Sequence, residues 1–338
     1  MSANLLYNLK HLTALSFSFV LAGLFSCESD GNAPVPPTPP GHDWSTQQSF
    51  TLENLNDVHF VGNSFGWVVG KELVLSTADG GVTWSRAPIE SSAPPDLINS
   101  IFFVSEQKGW MAGAIEDDQS GSVFITEQGG AYPALQETYN NPLYSVFFLD
   151  DQSGWVTGAN GRIAATTDGG TTWNTIGELG MNLYDIHFTT AQKGWTVGDN
   201  GSLYKTSDGI NFSAEDLGTV RNLNAVHFTD TTNGWACGGR NTIFRRHLDE
   251  GNLVVWSDAS ATNASEAVEW KDIHFINSST GWVIGDEGNI FKTTDGGQAW
   301  ERESIDTFDN LNAIFMASTT RGWIVGDNGA IFTYTPGI

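Results

Sequence analysis

Three aspartates, Asp57, Asp185 and Asp272, recur at one place in a repeated pattern. Two acids facing each other across a cleft are the equipment of glycoside hydrolysis. A structural or turn role predicts the same recurrence, because whatever a repeated unit needs is repeated with it. Two residues further on, His59, His187, His227 and His274 share a second place, which Phe102, Phe147 and Phe315 fill in the other copies. A position open to both His and Phe reads as a packing site between units, and four imidazoles spread around a ring are expected to lie too far apart to share one ion. Glu116-Asp117-Asp118 and Asp249-Glu250 offer oxygens to Ca²⁺ but lack the periodic carboxylates and glycine of a dedicated calcium loop. No metal and no cofactor is therefore expected. Cys237, within Trp235-Ala236-Cys237, reads as a small buried hydrophobe.

The elements that carry these residues repeat seven times. Gly-Trp occurs at Gly66, Gly109, Gly154, Gly194, Gly234, Gly281 and Gly322, each followed by Trp, with spacings of 43, 45, 40, 40, 47 and 41. A period of roughly 40–45 residues marks propeller blades. Each copy has room for four short strands, such as Leu183 to Phe188, then Gly194 to Gly198, then an Asp199-Asn200-Gly201 hairpin turn, then Ser202 to Thr206 and a last strand. With thirteen Trp, 38 Gly and 20 Phe, the composition suits short aromatic strands joined by tight turns. The fold class is all-β: a seven-bladed β-propeller spanning residues 43–338. The seventh copy stops at Tyr334-Thr335-Pro336 without a fourth strand, whereas Asp43-Trp44-Ser45-Thr46 resembles the fourth-strand segment Thr83-Trp84-Ser85-Arg86. Residues 43–50 are expected to complete the last blade and close the ring.

The turn before the fourth strand carries Asp79-Gly80-Gly81-Val82-Thr83-Trp84, Asp168-Gly169-Gly170-Thr171-Thr172-Trp173 and Asp295-Gly296-Gly297-Gln298-Ala299-Trp300, with a worn copy at Asp208-Gly209 and a more worn one at Gln128-Gly129-Gly130. These segments resemble Asp-boxes. Asp79, Asp168, Asp208 and Asp295 are expected to be turn architecture, their carboxylates accepting backbone N–H bonds. With the Gly-Trp-x-x-Gly and Asn-Gly segments, the pattern over about residues 43–335 resembles the Asp-box propellers of the photosystem II stability and assembly factor family. That resemblance implies the fold; it carries function only weakly. Photosynthetic members act as assembly chaperones that use a basic patch, which a chain with 15 Lys+Arg against 39 Asp+Glu does not match. Asp-boxes also occur in sialidases and xyloglucan-cleaving glycosidases. The alternative reading is accordingly a glycan-acting hydrolase, although the Arg-Ile-Pro signature of sialidases is absent.

In a propeller, the turns between strands one and two and between three and four share one face. The two-to-three turns and the blade-to-blade loops share the other. The longer segments, Ala114 to Gly121, Glu90 to Leu97, Pro133 to Pro142 and Ala259 to Glu269, are expected on that second face, with an extension after Arg246 on the first. Variable loops on a rigid scaffold are where binding specificity resides. The channel mouth on that face is expected to be ringed by Asn56, Asn99, Tyr144, Tyr184, Asn224, Lys271 and Asn312, which would stack on and hydrogen-bond a peptide or glycan, or would merely solvate the strand starts.

Residues 1–26 combine Lys10 with an apolar run from Leu12 to Phe25, too short to span a bilayer and suited to a signal peptide. Leu24-Phe25-Ser26-Cys27 resembles a bacterial lipobox, which implies lipidation at Cys27. The Pro-rich stretch within 27–42 reads as a linker. The net charge of −24 becomes −25 without residues 1–26, which disfavours nucleic acid and anionic membrane surfaces as partners. The expectation is a non-catalytic lipoprotein of the cell envelope, its membrane contact made through the lipid alone, with an envelope protein or glycan as partner.

Overall fold

The computed structural model describes residues 43–89, 95–115 and 120–336. They form seven four-stranded antiparallel sheets. The first strands of neighbouring sheets contact one another in a closed circle, so the sheets are the blades of a propeller with those strands innermost. Blades are numbered here in chain order by their Gly-Trp pair. The expected signal peptide, Cys27 and the linker lie outside the described residues, as do 90–94 and 116–119, the latter holding the Glu116-Asp117-Asp118 run.

The Gly-Trp period has a packing cause. In each blade the Gly lies six positions after an aromatic residue of the first strand, Phe60 before Gly66 and Phe103 before Gly109, with Met316 replacing it before Gly322. A Cβ on Gly66 would fall inside the Phe60 ring. The Trp that follows stacks on the corresponding Phe of the next blade: Trp67 on Phe103 at 3.6 Å between ring centroids, Trp110 on Phe148 at 3.5 Å, Trp235 on Phe275 at 3.5 Å and Trp323 on Phe60 at 3.4 Å. Each Gly-Trp pair is thus half of an interblade joint.

The other half is the Asp-Gly turn. The indole N–H of Trp67 donates to the carbonyl of Gly129, that of Trp110 to Gly169, Trp235 to Gly296 and Trp323 to Gly80, always in the next blade. Where the next turn has lost its paired glycines, the joint is incomplete: the indole nitrogens of Trp155 and Trp195 are buried and find no hydrogen-bond partner, whereas Gln128-Gly129-Gly130, which lacks the Asp but keeps both glycines, still receives Trp67. Blade 4, which follows Trp155, has the shortened Asp208-Gly209-Ile210 turn, and blade 5, which follows Trp195, has lost the motif.

Ring closure follows the expectation from residues 43–50. Trp44–Gln47 forms the outer strand of blade 7, antiparallel to Ile331–Tyr334, with Trp44 opposite Tyr334 and Gln47 opposite Ile331. No hairpin turn joins these two strands, and the segment that precedes blade 1 therefore holds the circle shut by hydrogen bonds and packing.

Candidate functional site

The seven residues expected at the channel mouth all occupy the early part of first strands, Lys271 exposed and the other six half-buried. Four of them are spent on holding blades together. The side-chain amides of Asn56, Asn99, Asn224 and Asn312 donate to the backbone carbonyls of Ile98, Leu143, Trp270 and Leu55, each in the following blade. Tyr144 and Tyr184 interrupt this stitching and pack against each other, ring centroids 5.5 Å apart. The Tyr184 hydroxyl donates to Asp199 at 2.5 Å, and burial together with that carboxylate pushes its pKa up to about 12. Blades 3, 4 and 6 therefore present two phenols and an ammonium group where their neighbours present amides already bonded to backbone.

One residue further along, Asp57, Asp185 and Asp272 are turned into the channel wall. Each accepts the N–H of the residue after it and one from the next blade: Asp57 from Val58 and Ile101, Asp185 from Ile186 and Val226, Asp272 from Ile273 and Ile314. Ser145 also donates to Asp185 at 2.9 Å. Burial raises the three carboxyls to about 7, 6 and 7 even against these bonds. With both oxygens of each committed to backbone donors, the arrangement joins blades; it does not present two acids across a cleft.

The His and Phe residues complete a closed aromatic annulus. Successive ring centroids lie 4.5 Å apart for His59 and Phe102, 5.2 Å for Phe102 and Phe147, 4.8 Å for Phe147 and His187, 4.8 Å for His187 and His227, 4.5 Å for His227 and His274, 5.3 Å for His274 and Phe315, and 5.0 Å back to His59. Packing at this position is as expected; the separation is not. His187, His227 and His274 are consecutive neighbours in contact, because the inner circle of a seven-bladed ring is narrow enough for adjacent first strands to touch. Among the described residues no group of three or more His, Cys, Asp or Glu is arranged to hold a metal ion. Burial lowers the imidazole pKa of His59 and His187 to about 3 and of His274 to about 4.

That depression makes a prediction with a definite sign. The unfolded chain takes up a proton on His187 as pH falls below about 6.5, while the folded chain stays neutral down to about 3. Stability present at neutral pH is therefore lost on acidification through this window. Phe already occupies the same place in three blades, so His187→Phe keeps the annulus and removes the loss. Because His187 is half-buried, the variant should gain about 1–2 kcal/mol over the parent between pH 8 and pH 5 in urea melts. An equal gap at both pH values would contradict the assignment.

On the opposite face the turn aspartates are fully occupied. Asp79 accepts from Thr77 Oγ1 at 2.7 Å, from Thr83 N at 2.9 Å and from Thr83 Oγ1 at 2.6 Å. Asp168 repeats the set with Thr166 and Thr172; Asp208 uses Thr206 and Asn211, and Asp295 uses Thr293 and Ala299. The bonds from Thr172 and Thr166 hold the exposed Asp168 carboxyl below the usual carboxylate range. Gly80 and Gly81 adopt φ values of 73° and 86°, open to glycine and closed to most residues. The Thr two positions before each Asp belongs to the motif as well: the buried hydroxyls of Thr77 and Thr166 also accept the N–H of Gly81 and Gly170.

The loop-bearing face is more irregular, though differently from expectation. Pro133 to Pro142 is not a long loop: Ala134–Tyr139 is the fourth strand of blade 2, leaving 140–142 as the shortest blade-to-blade link. Likewise the strands of the 114–121 hairpin run to Ile115 and from Ser120. The 259–269 segment is a true long connection, yet it is pinned down: Ala261 and Val268 are buried, Trp300 donates to the carbonyl of Ala259 and Asn241 to that of Ala261. A recurring clamp also went unread. The backbone N–H of the left-handed residue in a two-to-three turn donates to an Asn just before the next first strand, as Asn160 to Asn182, Asn200 to Asn222, Glu287 to Asn310 and Asn328 to Asn54.

This geometry has counterparts among known proteins. The YCF48 structure bound to a D1 peptide superposes with a TM-score of 0.73 at 21% identity, covering 89% of this chain and 97% of that one. YCF48 from Cyanidioschyzon merolae gives 0.70 at 17% identity, covering 86% and 98%. An ancestral GH74 enzyme gives 0.67 at 13% identity, covering 86% of this chain and 46% of that one. At these identities the likeness is one of fold. The photosystem II stability/assembly factor HCF136 of Arabidopsis thaliana is 32% identical over 91 residues, 26% of this chain and 21% of that protein, so the match spans about a fifth of the relative's length. The family described as photosynthesis system II assembly factor YCF48 matches residues 37–132 and 214–335, the greater part of the sequence. With its seven blades joined as described, the chain belongs to the YCF48 assembly factor family.

Proposed function

We propose that this protein is a non-catalytic binding or assembly-support module of the cell envelope, exported and anchored through a lipid on Cys27. Its partner, a protein or a glycan, binds the face that bears the blade-to-blade loops. The observation that carries the reading is the contrast between the faces. The turn aspartates on one face are saturated by internal bonds, whereas on the other the amide stitching is broken by Tyr144, Tyr184 and Lys271. A YCF48 bound to a D1 peptide, within the same family, supports a protein partner over a glycan. The three carboxyls turned into the channel wall, each engaged by two backbone N–H groups, support a role without turnover.

The test is copurification and crosslinking of the tagged protein from its native envelope, with the same preparation assayed for sugar release from mixed glycans. A reproducible partner, bound about tenfold more weakly by Tyr144→Ala or Tyr184→Ala, and no sugar release are expected. Release that disappears when Asp57 or Asp272 is replaced would overturn the reading.

A further inference from the structure

On the loop-bearing face, the links into and out of blade 7 leave large apolar side chains in water. Phe308 is 92% exposed, Phe50 85% and Leu52 84%. Phe50 also adopts a left-handed backbone conformation, φ 55°, which is unusual for a bulky residue, and its ring gains almost no burial within the chain to offset that. Single exposed hydrophobes are ordinary, but a group of them rimmed by polar residues marks a contact surface.

These side chains line two clefts that meet along the link into blade 7, where Phe308 lines one and its chain neighbours Thr307 and Asp309 line the other. One, of about 540 Å³, is lined by Phe50 and Leu52 on one side and by Asp306 and Asp309 on the other. A second, of about 600 Å³, is lined by Phe308, Asp286 and Glu287. Among the described residues, four carboxylates thus line the two clefts against a single cation, Arg302. Glu287 and Asp306 are exposed. Asp309 is tied to Asn328 and Thr307, and Asp286 to the backbone of Glu269, so these two shape the walls while the others face water.

We infer that the Phe50, Leu52 and Phe308 surface docks an extended partner segment in which aromatic or aliphatic side chains are flanked by Lys or Arg. The apolar residues supply the anchoring contacts, and the carboxylates select the charge. Complementary charge chiefly sets specificity and the rate of encounter, and the excess of 39 Asp+Glu over 15 Lys+Arg in the whole chain repels acidic competitors. The inference rests on the reading that this face binds protein, and it names the place and the chemistry of the contact.

The test uses the full-length protein in detergent with two fluorescent probes. One is a short Gly/Ser peptide carrying paired Phe and several Lys; the other is its Glu counterpart. The Lys peptide should bind, weaken with added salt, and bind about tenfold more weakly to Phe308→Ser, to Phe50→Ser and to the Glu287→Gln, Asp306→Asn double variant. All four positions are exposed, so the variants should melt with the parent, and Leu253→Ser, at an exposed hairpin tip on the opposite face, should bind as the parent does. Equal binding of the Glu peptide, no binding of either, or binding indifferent to Phe50 and Phe308 overturns the inference. If the Lys peptide is indifferent to those residues but is lost on Tyr184→Ala, the loop-face reading stands and this docking surface falls. Loss on Leu253→Ser alone brings down both.

Discussion

A chain beginning at residue 53 should melt about 10 °C or more below the full-length protein. The segment it lacks supplies the outer strand of blade 7 and a buried polar knot. Trp44 is 2% exposed, its ring lies 4.8 Å from that of Tyr334, and its indole N–H donates to Glu303 in blade 6 at 2.7 Å. Glu303 also accepts from Trp282 and pairs with Lys292 at 3.5 Å, and Lys292 donates to the Tyr334 hydroxyl at 2.8 Å. Burial already raises the Glu303 pKa. Without Trp44, that carboxylate loses its shortest donor and an open sheet edge is left beside it. Trp44→Phe keeps the strand and an aromatic ring against Tyr334 but loses the bond and part of the indole's volume, and should cost about 1–3 kcal/mol. Unchanged melting of the shortened chain would contradict closure by this strand.

Trp323→Ala should destabilise the protein by about 3–5 kcal/mol, the range for a buried aromatic whose site cannot collapse. Trp323 is fully buried, stacks on Phe60, donates to the Gly80 carbonyl at 3.0 Å and lies under the Arg321 guanidinium at 5.0 Å. It joins blade 7 to blade 1, so the loss falls on the same seam as the closing strand. A paired comparison tests the joint itself. Trp110→Phe leaves the Gly169 carbonyl without its indole donor, whereas Trp155→Phe deletes an N–H that has no partner. The first should cost about 1–2 kcal/mol more than the second in denaturant melts. Equal costs would mean that the indole bonds contribute nothing to blade docking.

The architecture was legible because its requirements are local and repeated. Gly must precede Trp where a Phe ring covers it, and Asp-Gly must occur where a turn enters positive φ. What escaped was set by neighbours distant in sequence. Asn54-Leu55-Asn56, Asn222-Leu223-Asn224 and Asn310-Leu311-Asn312 are visible as a motif, but that one Asn receives a turn depends on packing more than twenty residues away, and that the other reaches the next blade depends on packing more than forty residues away. The contacts among His187, His227 and His274 depend on the radius of the closed ring, which no spacing along the chain reveals. Ala134–Tyr139 passed for a loop because an outer strand, open to water on its edge, carries no apolar alternation. The Phe50 and Phe308 surface left no periodic trace either, since neither residue belongs to the repeat.

The central claim is that one face of the propeller receives the partner, and a photoreactive side chain placed at single exposed positions tests it most directly in the native envelope. Substitution at Lys271, Met181 or Val220 on the loop-bearing face should yield one crosslinked species, while substitution at Val82, Ile210 or Gln298 on the turn face should yield none. Crosslinks arising from the turn positions, with the loop positions silent, would contradict the account.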